Sequence, residues 1–399
     1  MTMRIASANA QQRSVESMLQ RQHALQEAQD RLVSGKRVLR ASDDPTAAAR
    51  VERALSQQAR VESSQRALEV SRSAMQQAES AVGAAGDILR EVRDLVVEAG
   101  NAAYTDSERA TLASRIRGLR EDLLRVANRT DGAGGFLFAG QGSQGQPFVE
   151  APAGVQFRGN PGQAQAVSGE PLPTAVDGQQ AFLGSPTGNG VFVTAPGSPN
   201  SGGAWIDPGS VVDPAALTTS DYAIVFSGSG SSLSYTVQKD GSPLGSAQPY
   251  ASGQAIVFDG MSMTVKGTPA AGDTFSVVPS TRELSVFDTL QSLAGDLATP
   301  GRTGAQIAQT VSSGLRDLDS SLGNVSAMRS GIGTILQRTD EVETRLAESK
   351  LRADDERSAA EDLDMVQAVS QLQARQTGYD AALKAYSMVQ RLSLFDYLR

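Results

Sequence analysis

Val61, Leu68, Met75, Val82, Leu89 and Val96 stand seven residues apart without a break, and Ser64, Ser71, Ala78, Ala85, Val92 and Ala99 repeat three residues behind them. A register held this long predicts one continuous α-helix with an apolar seam. From Asp44 to Ala99 it spans roughly 80 Å at ~1.5 Å per residue. No globular core is that long, so the helix needs partners along its whole length. Gly83 and Gly86 fall inside the register and are not expected to interrupt it. At its start, Ser42, Asp43 and Asp44 offer acceptors for the free N–H groups, and Pro45 takes a first-turn position. These carboxylates read as caps rather than as an acid/base pair, because no partner with a tunable pKa lies nearby.

Gly100-Asn101 is a stop signal. Thr105 and Glu108 then have capping-box spacing. Leu112, Ile116, Leu119, Leu123 and Val126 step 4-3-4-3 into a second amphipathic helix, antiparallel to the first across a short loop. Near the other end, Val311, Leu315, Leu318, Leu322 and Val325 repeat that step, continued by Ile332 and Leu336. Met365, Val369, Leu372, Gln376, Tyr379, Leu383 and Tyr386 carry it towards the C-terminus. The charged stretch 349–364 breaks the seam and predicts a change of neighbour or a joint. The first 34 residues have a thin stripe of Met18, Leu25 and Leu32, with Gln22 and Gln29 between. Such a helix is marginal alone, and its natural partner is the other terminal helix.

Between these flanks the composition changes. Of 16 prolines, 14 lie between Pro147 and Pro279, whereas only 12 of the 80 charged residues fall in 146–279. Short alternating runs such as Tyr222 to Phe226, Ala255 to Phe258 and Met261 to Val265 predict strands. Asp240-Gly241 and Asp259-Gly260 predict hairpin turns. Residues 195–214 read as a mobile loop, with Trp205 as a local packing anchor. The fold class is therefore mainly α with an all-β insert: a long antiparallel heptad bundle built from both chain ends, plus a small outward β domain. The expected domains are 1–45 with 355–399, 46–160 with 280–354, and 161–279.

The chemistry such a chain can carry is narrow. It has no cysteine and one histidine, His23, which excludes thiol nucleophiles and Cys- or His-cluster metal sites. His23 reads as solvated or interfacial. A formal net charge of -8 argues against nucleic acid as partner. No apolar run is long enough to span a bilayer, and no cleaved secretory signal is visible. Gly140, Gly142 and Gly145 match the dinucleotide pattern literally, yet Pro147 follows where a phosphate-binding helix must begin. No cofactor, metal or catalytic set is expected.

Several stretches, taken in order, resemble the bacterial flagellin-type axial proteins, and within them the hook-associated proteins of the hook–filament junction. They are Arg31 to Arg37 followed by Ala41 to Ala48, then Ala127 to Gly132 with Phe136 to Gly140 and Pro147-Phe148. Gly260, Gly267 to Pro269 and Gly272 to Phe275 follow in the insert. Ala381 to Tyr386 and Leu392 to Leu398 close the chain. Residues 160–215 carry none of the likeness.

The resemblance implies a structural protein of the bacterial flagellum that joins hook to filament by helix packing between subunits. The terminal coiled coil would be innermost and the insert outermost. It implies export of the unfolded chain by the flagellar type III system, with copies of itself in a ring, a neighbouring hook-associated protein and flagellin as partners. A cytosolic chaperone would cover the C-terminal segment. The interface residues that follow are Met18, Leu25, Leu32, Val369, Leu372, Tyr379, Leu383, Tyr386, Leu394, Phe395 and Leu398. Two other readings stay open here: a filament flagellin, and a secreted adhesin that binds glycan through the insert.

Overall fold

The computed structural model describes residues 2–132, 134–143, 145–166 and 171–397; of residues 2–11, 231 and 389–397 it describes the backbone. The chain divides into two compact units, residues 1–66 with 343–399 and residues 67–342.

Three helices open the chain: α1 (Thr2–Ser34), α2 (Pro45–Ala99) and α3 (Asp106–Ala127). The α2 seam is buried from Ala47 and Ala54 through Val61, Leu68, Met75, Val82, Leu89 and Val96. Thr105 and Glu108 form the capping box at the start of α3. Next come a hairpin, β1 (Phe148–Ala151) and β2 (Gly154–Phe157), and a short helix, α4 (Gly178–Leu183).

Strands β3 (Phe192–Pro196), β4 (Gly203–Ile206), β5 (Ser210–Val211), β6 (Tyr222–Ser227), β7 (Ser234–Lys239), β8 (Ser242–Pro243), β9 (Gln248–Pro249), β10 (Ala255–Phe258), β11 (Met261–Thr268) and β12 (Thr274–Pro279) build the insert. The chain finishes with α5 (Val286–Ala298), α6 (Gly304–Glu361) and α7 (Met365–Tyr397).

Unit 67–342 holds two separate cores. In the first, α2, α3, α5 and α6 close around Phe138, Phe148, Phe182 and Phe287. The Phe182 ring meets Phe138 and Phe148 edge-on at 5.4 and 5.5 Å, the geometry that aligns positive ring edges with negative ring faces. Residues 161–183, grouped with the β domain by composition, place Val176, Ala181 and Phe182 in this helical core. Arg120 is buried there: its Nε donates to Phe287 O at 3.0 Å, and its fork grips Glu150 at 2.6 and 3.1 Å. That grip holds the Glu150 carboxyl below the usual glutamate range. Along the exposed side, Arg72–Asp340, Glu79–Arg329 and Arg93–Asp319 pair α2 with α6. Solvent-screened pairs add little stability, but they fix which residues stand opposite.

The second core lies between two antiparallel sheets, one ordered β3-β12-β6-β7-β8 and the other β10-β11-β4. Both Asp-Gly turns take the left-handed backbone that a two-residue hairpin requires, with φ 47 and 79 at Asp240-Gly241 and 41 and 78 at Asp259-Gly260. The loop expected over 195–214 is instead ordered. Its segments β4 and β5 pair with β11, a register that sequence spacing does not reveal because the partners are some 60 residues apart. Trp205 sits there under the Lys266 ammonium, 5.1 Å from the ring centre.

The charged segment 349–364 does not break α6 where the seam falters. The helix runs through to Glu361, its buried positions including Leu318, Val325, Ile332, Thr339, Val342, Ala353 and Ala360. A threonine and two alanines bury so little surface that the sequence pattern is swamped by charge. The joint comes after Glu361.

Candidate assembly site

Unit 1–66 with 343–399 holds every residue singled out for assembly. Its organising feature is a polar corner where four helix ends meet. Gly35 ends α1 with φ +68, the left-handed C-terminal position where glycine avoids a Cβ penalty. Leu363 N donates to Gly35 O at 2.9 Å, and Arg37 N donates to Glu361 O at 2.7 Å. The Arg37 guanidinium then reaches Ala360 O at 2.7 Å and Asp44 Oδ2 at 3.2 Å. Lys36 pairs with Glu361, whose second oxygen faces Arg357 at 3.6 Å.

The caps divide the work. Asp44 Oδ1 accepts from Thr46 N and Ala47 N and so caps α2 directly before Pro45. Asp43 Oδ2 accepts from Leu39 N and Arg40 N and closes the turn before it. Ser42 precedes both, outside the first turn of α2. The Ala47 N–H bond, seconded by Arg37, keeps the Asp44 carboxyl below the usual aspartate range. Asp364 caps α7 through Gln367 N at 3.1 Å.

Beyond the corner α1 and α7 pair side by side. Arg375 Nη1 donates to Ala24 O at 2.7 Å, so a side chain on one helix satisfies the main chain of the other. Met18, Leu25, Leu32, Leu372, Tyr379 and Tyr386 are half-buried. Val369 and Leu383, predicted in the same seam, are exposed instead. The half-buried positions of α7 are Ala368, Leu372, Arg375, Gly378, Tyr379, Ala382 and Tyr386, a stripe rotated from the sequence pattern towards small residues that let the helices approach. Leu394 and Phe395 continue α7 but their side chains lie outside the described residues, as does Leu398 altogether.

Within 12–37 and 362–388 no described residue is buried. Val33 at 89% and Val366 at 84% exposure show how much apolar surface the pair leaves uncovered. His23 is exposed on α1. Among the described residues no group of three or more His, Cys, Asp or Glu could hold a metal ion, and no helix is long and apolar enough to cross a membrane. The Gly140 turn is a packing device: a Cβ there would stand 2.0 Å from Asn160 O.

Residues 5–143 match the bacterial flagellin N-terminal helical region, and residues 315–398 match the bacterial flagellin C-terminal helical region. The flagellar junction protein FlgL of Legionella pneumophila is 30% identical, with a TM-score of 0.63, over 69% of this chain and 94% of that one. The chain belongs to the flagellar hook-associated protein 3 family. A second structure of hook-associated protein 3 from Legionella pneumophila superimposes with a TM-score of 0.69 at 28% identity, covering 76% of this chain and 96% of its own. Flagellar hook-associated protein 3 of Escherichia coli K12 is 24% identical over 92% of this chain and 90% of its own length. Residues 197–279 match the D2-like domain of flagellar hook-associated protein 1, so the β insert has a counterpart beyond the family. Both halves of the corner, 35–44 and 360–364, fall within the two flagellin-type helical regions.

Proposed function

We propose that this chain is a structural subunit of the flagellar axis that joins hook to filament through helix packing between subunits. The observation that carries this reading is the α1/α7 pair. It is tied by a built corner to the rest of its unit, yet none of its described side chains is buried. A pair of helices with so little interior gains its stability from neighbours. Copies of the same chain in a ring, an adjoining hook-associated protein and flagellin supply those neighbours. Met18, Leu25, Leu32, Leu372, Tyr379 and Tyr386 hold the pair together, and Val369, Leu383, Leu394, Phe395 and Leu398 meet the next subunit. The work is structural, not catalytic.

The reading places residues 1–45 with 355–399 innermost, the helical body that takes in 161–183 around them, and the β module 192–279 outermost. Export by the flagellar type III system, with a chaperone on the C-terminal segment, suits a cysteine-free chain with weakly held ends. Gold-labelled antibody on isolated flagella tests the position: a single band at the hook end is expected. Label along the filament would reassign the chain as a filament subunit. Deleting residues 385–399 is expected to leave hooks without filaments, and normal filaments from that strain would refute the role given to α7.

A further inference from the structure

The β module 192–279 hangs from the helical body in an unusual way. Its core shares no residue with the helical core. Two connectors join them, and these are stitched to each other: Ser185 N to Leu284 O, Leu284 N to Ser185 O, Thr187 N to Thr281 O, and Ser280 Oγ to Thr187 O. Above this stalk stand Gly188 and Gly190, with φ +65 and +87.

One polar stripe of α6 reaches across to the stalk and the module, and it binds main-chain atoms throughout. Asn324 Nδ2 donates to Ala181 O at 3.1 Å, and Ser320 Oγ donates to Pro186 O at 2.5 Å. The first ties α6 to α4, and the second holds the stalk. Further along, Arg316 Nη1 donates to Thr194 O at 3.1 Å, and Gln309 Oε1 accepts from Ile206 N at 2.9 Å. Among the described residues these last two are the hydrogen bonds that link the module itself to α6. Arg316 is braced by Asp317 at 2.9 Å, which fixes its fork towards β3. Beside the stripe lies an open cavity of 630 Å³ lined by Gly188, Gly190, Pro208, Arg282 and Gly323 among others. Two hydrogen bonds beside a hollow form the polar part of this contact, and domains within a chain are held rigid only by large, apolar interfaces.

We propose that the β module is a hinged arm, closed on α6 by a main-chain latch of Arg316 and Gln309 and free to swing about Gly188–Gly190 when the latch opens. Because the latch reads Thr194 O and Ile206 N rather than side chains, it engages any strand of the right shape. It is independent of the module's surface sequence. Opening exposes one carbonyl and one N–H to water and breaks no apolar core, so closed and open arms stay in exchange. The device belongs to this chain alone and does not depend on where the subunit sits in the flagellum.

The absence of cysteine makes the test clean. Val97→Cys on α2 and Val257→Cys on β10, both exposed, carry a spin-label pair on the full chain. Double electron–electron resonance then reads the distance distribution between body and arm. The parent is expected to show one dominant distance. Arg316→Ala with Gln309→Ala is expected to raise the population at other distances about tenfold or more. Arg316→Lys, which keeps the charge but not the fork, should fall between. Trp205 fluorescence confirms that the module's fold survives in each variant. A distribution unchanged by the double substitution, with the module folded, would overturn the latch. If the double variant unfolds the module, Arg316→Lys decides: an unchanged distribution in it likewise refutes the proposal.

Discussion

Replacing Arg37 by alanine isolates what holds the corner. In the parent, the side chain donates to Ala360 O at 2.7 Å and to Asp44 Oδ2 at 3.2 Å, while the main-chain N–H donates to Glu361 O. The carbonyls of the last turn of α6 have no intrahelical donor left, so alanine leaves one of them without its charged partner. Such a bond contributes about 1.5–3 kcal/mol when fully sheltered. The Arg37 side chain is 45% exposed, so water replaces part of it and about 1–1.5 kcal/mol is the fitting loss. That shifts the opening equilibrium of the corner roughly tenfold. Hydrogen exchange reads it directly. The amides of Leu363 and Arg37, which donate to Gly35 O and Glu361 O, should exchange roughly tenfold faster, while the amide of Leu89 in the other unit keeps its rate. Arg37→Lys should lie between. Unchanged exchange at Leu363 and Arg37 in the alanine variant would refute the idea that the guanidinium closes the corner.

Leu89→Ala, in a wholly buried seam position, should cost about 2–5 kcal/mol in urea unfolding, whereas exposed Val97→Ala should change little. Gly140→Ala must move the Asn160 carbonyl and hold φ +67 with a Cβ, a strain of about 1–3 kcal/mol that lowers the melting temperature. Hydrogen bonds from Lys239 and then Tyr222 hold the Asp259 carboxyl below its ordinary range. Its folded pKa is depressed, so its stabilisation is complete at neutral pH and is lost as pH falls below about 4. Melting of the module, followed by Trp205 fluorescence, should drop there, and Asp259→Asn should flatten that part of the profile. Limited trypsin digestion of dilute protein should cut first within 12–37 and 362–388, and full protection of both stretches would contradict the burial pattern.

The sequence made the helices legible where the seam carries large residues. Val61 to Val96 needed only counting, and Thr105 with Glu108 named their own cap. The Asp-Gly turns were equally plain, because few residues tolerate positive φ. Reading failed where packing depends on small side chains: Ala353 and Ala360 are buried, but alanine gives no periodic signal among so many charges. The rotation of the α7 stripe away from Val369 and Leu383 has the same origin, since Gly378 and Ala382 face α1 because they are small. Long-range strand pairing, as of β4 with β11, was hidden for a different reason: alternation shows that a strand exists and leaves its partner open. The Arg37 bond to Ala360 O was out of reach as well, because that acceptor lies 323 residues away.

The seam of α2 and α6 is not uniform. Along its middle it is made of Leu68, Met75, Val82, Leu89, Val96, Leu318, Val325 and Ile332; towards the ends of the two helices Ala47, Ala54, Ala353 and Ala360 take the same heptad places. The outermost heptads therefore remove the least apolar surface from water, and cohesion is lowest at that end of the two helices. Their unravelling has a built-in direction: loosening starts at the alanine end and meets rising resistance towards Leu89. A tension applied at either terminus would unpick the molecule progressively, like a seam sewn with ever tighter stitches.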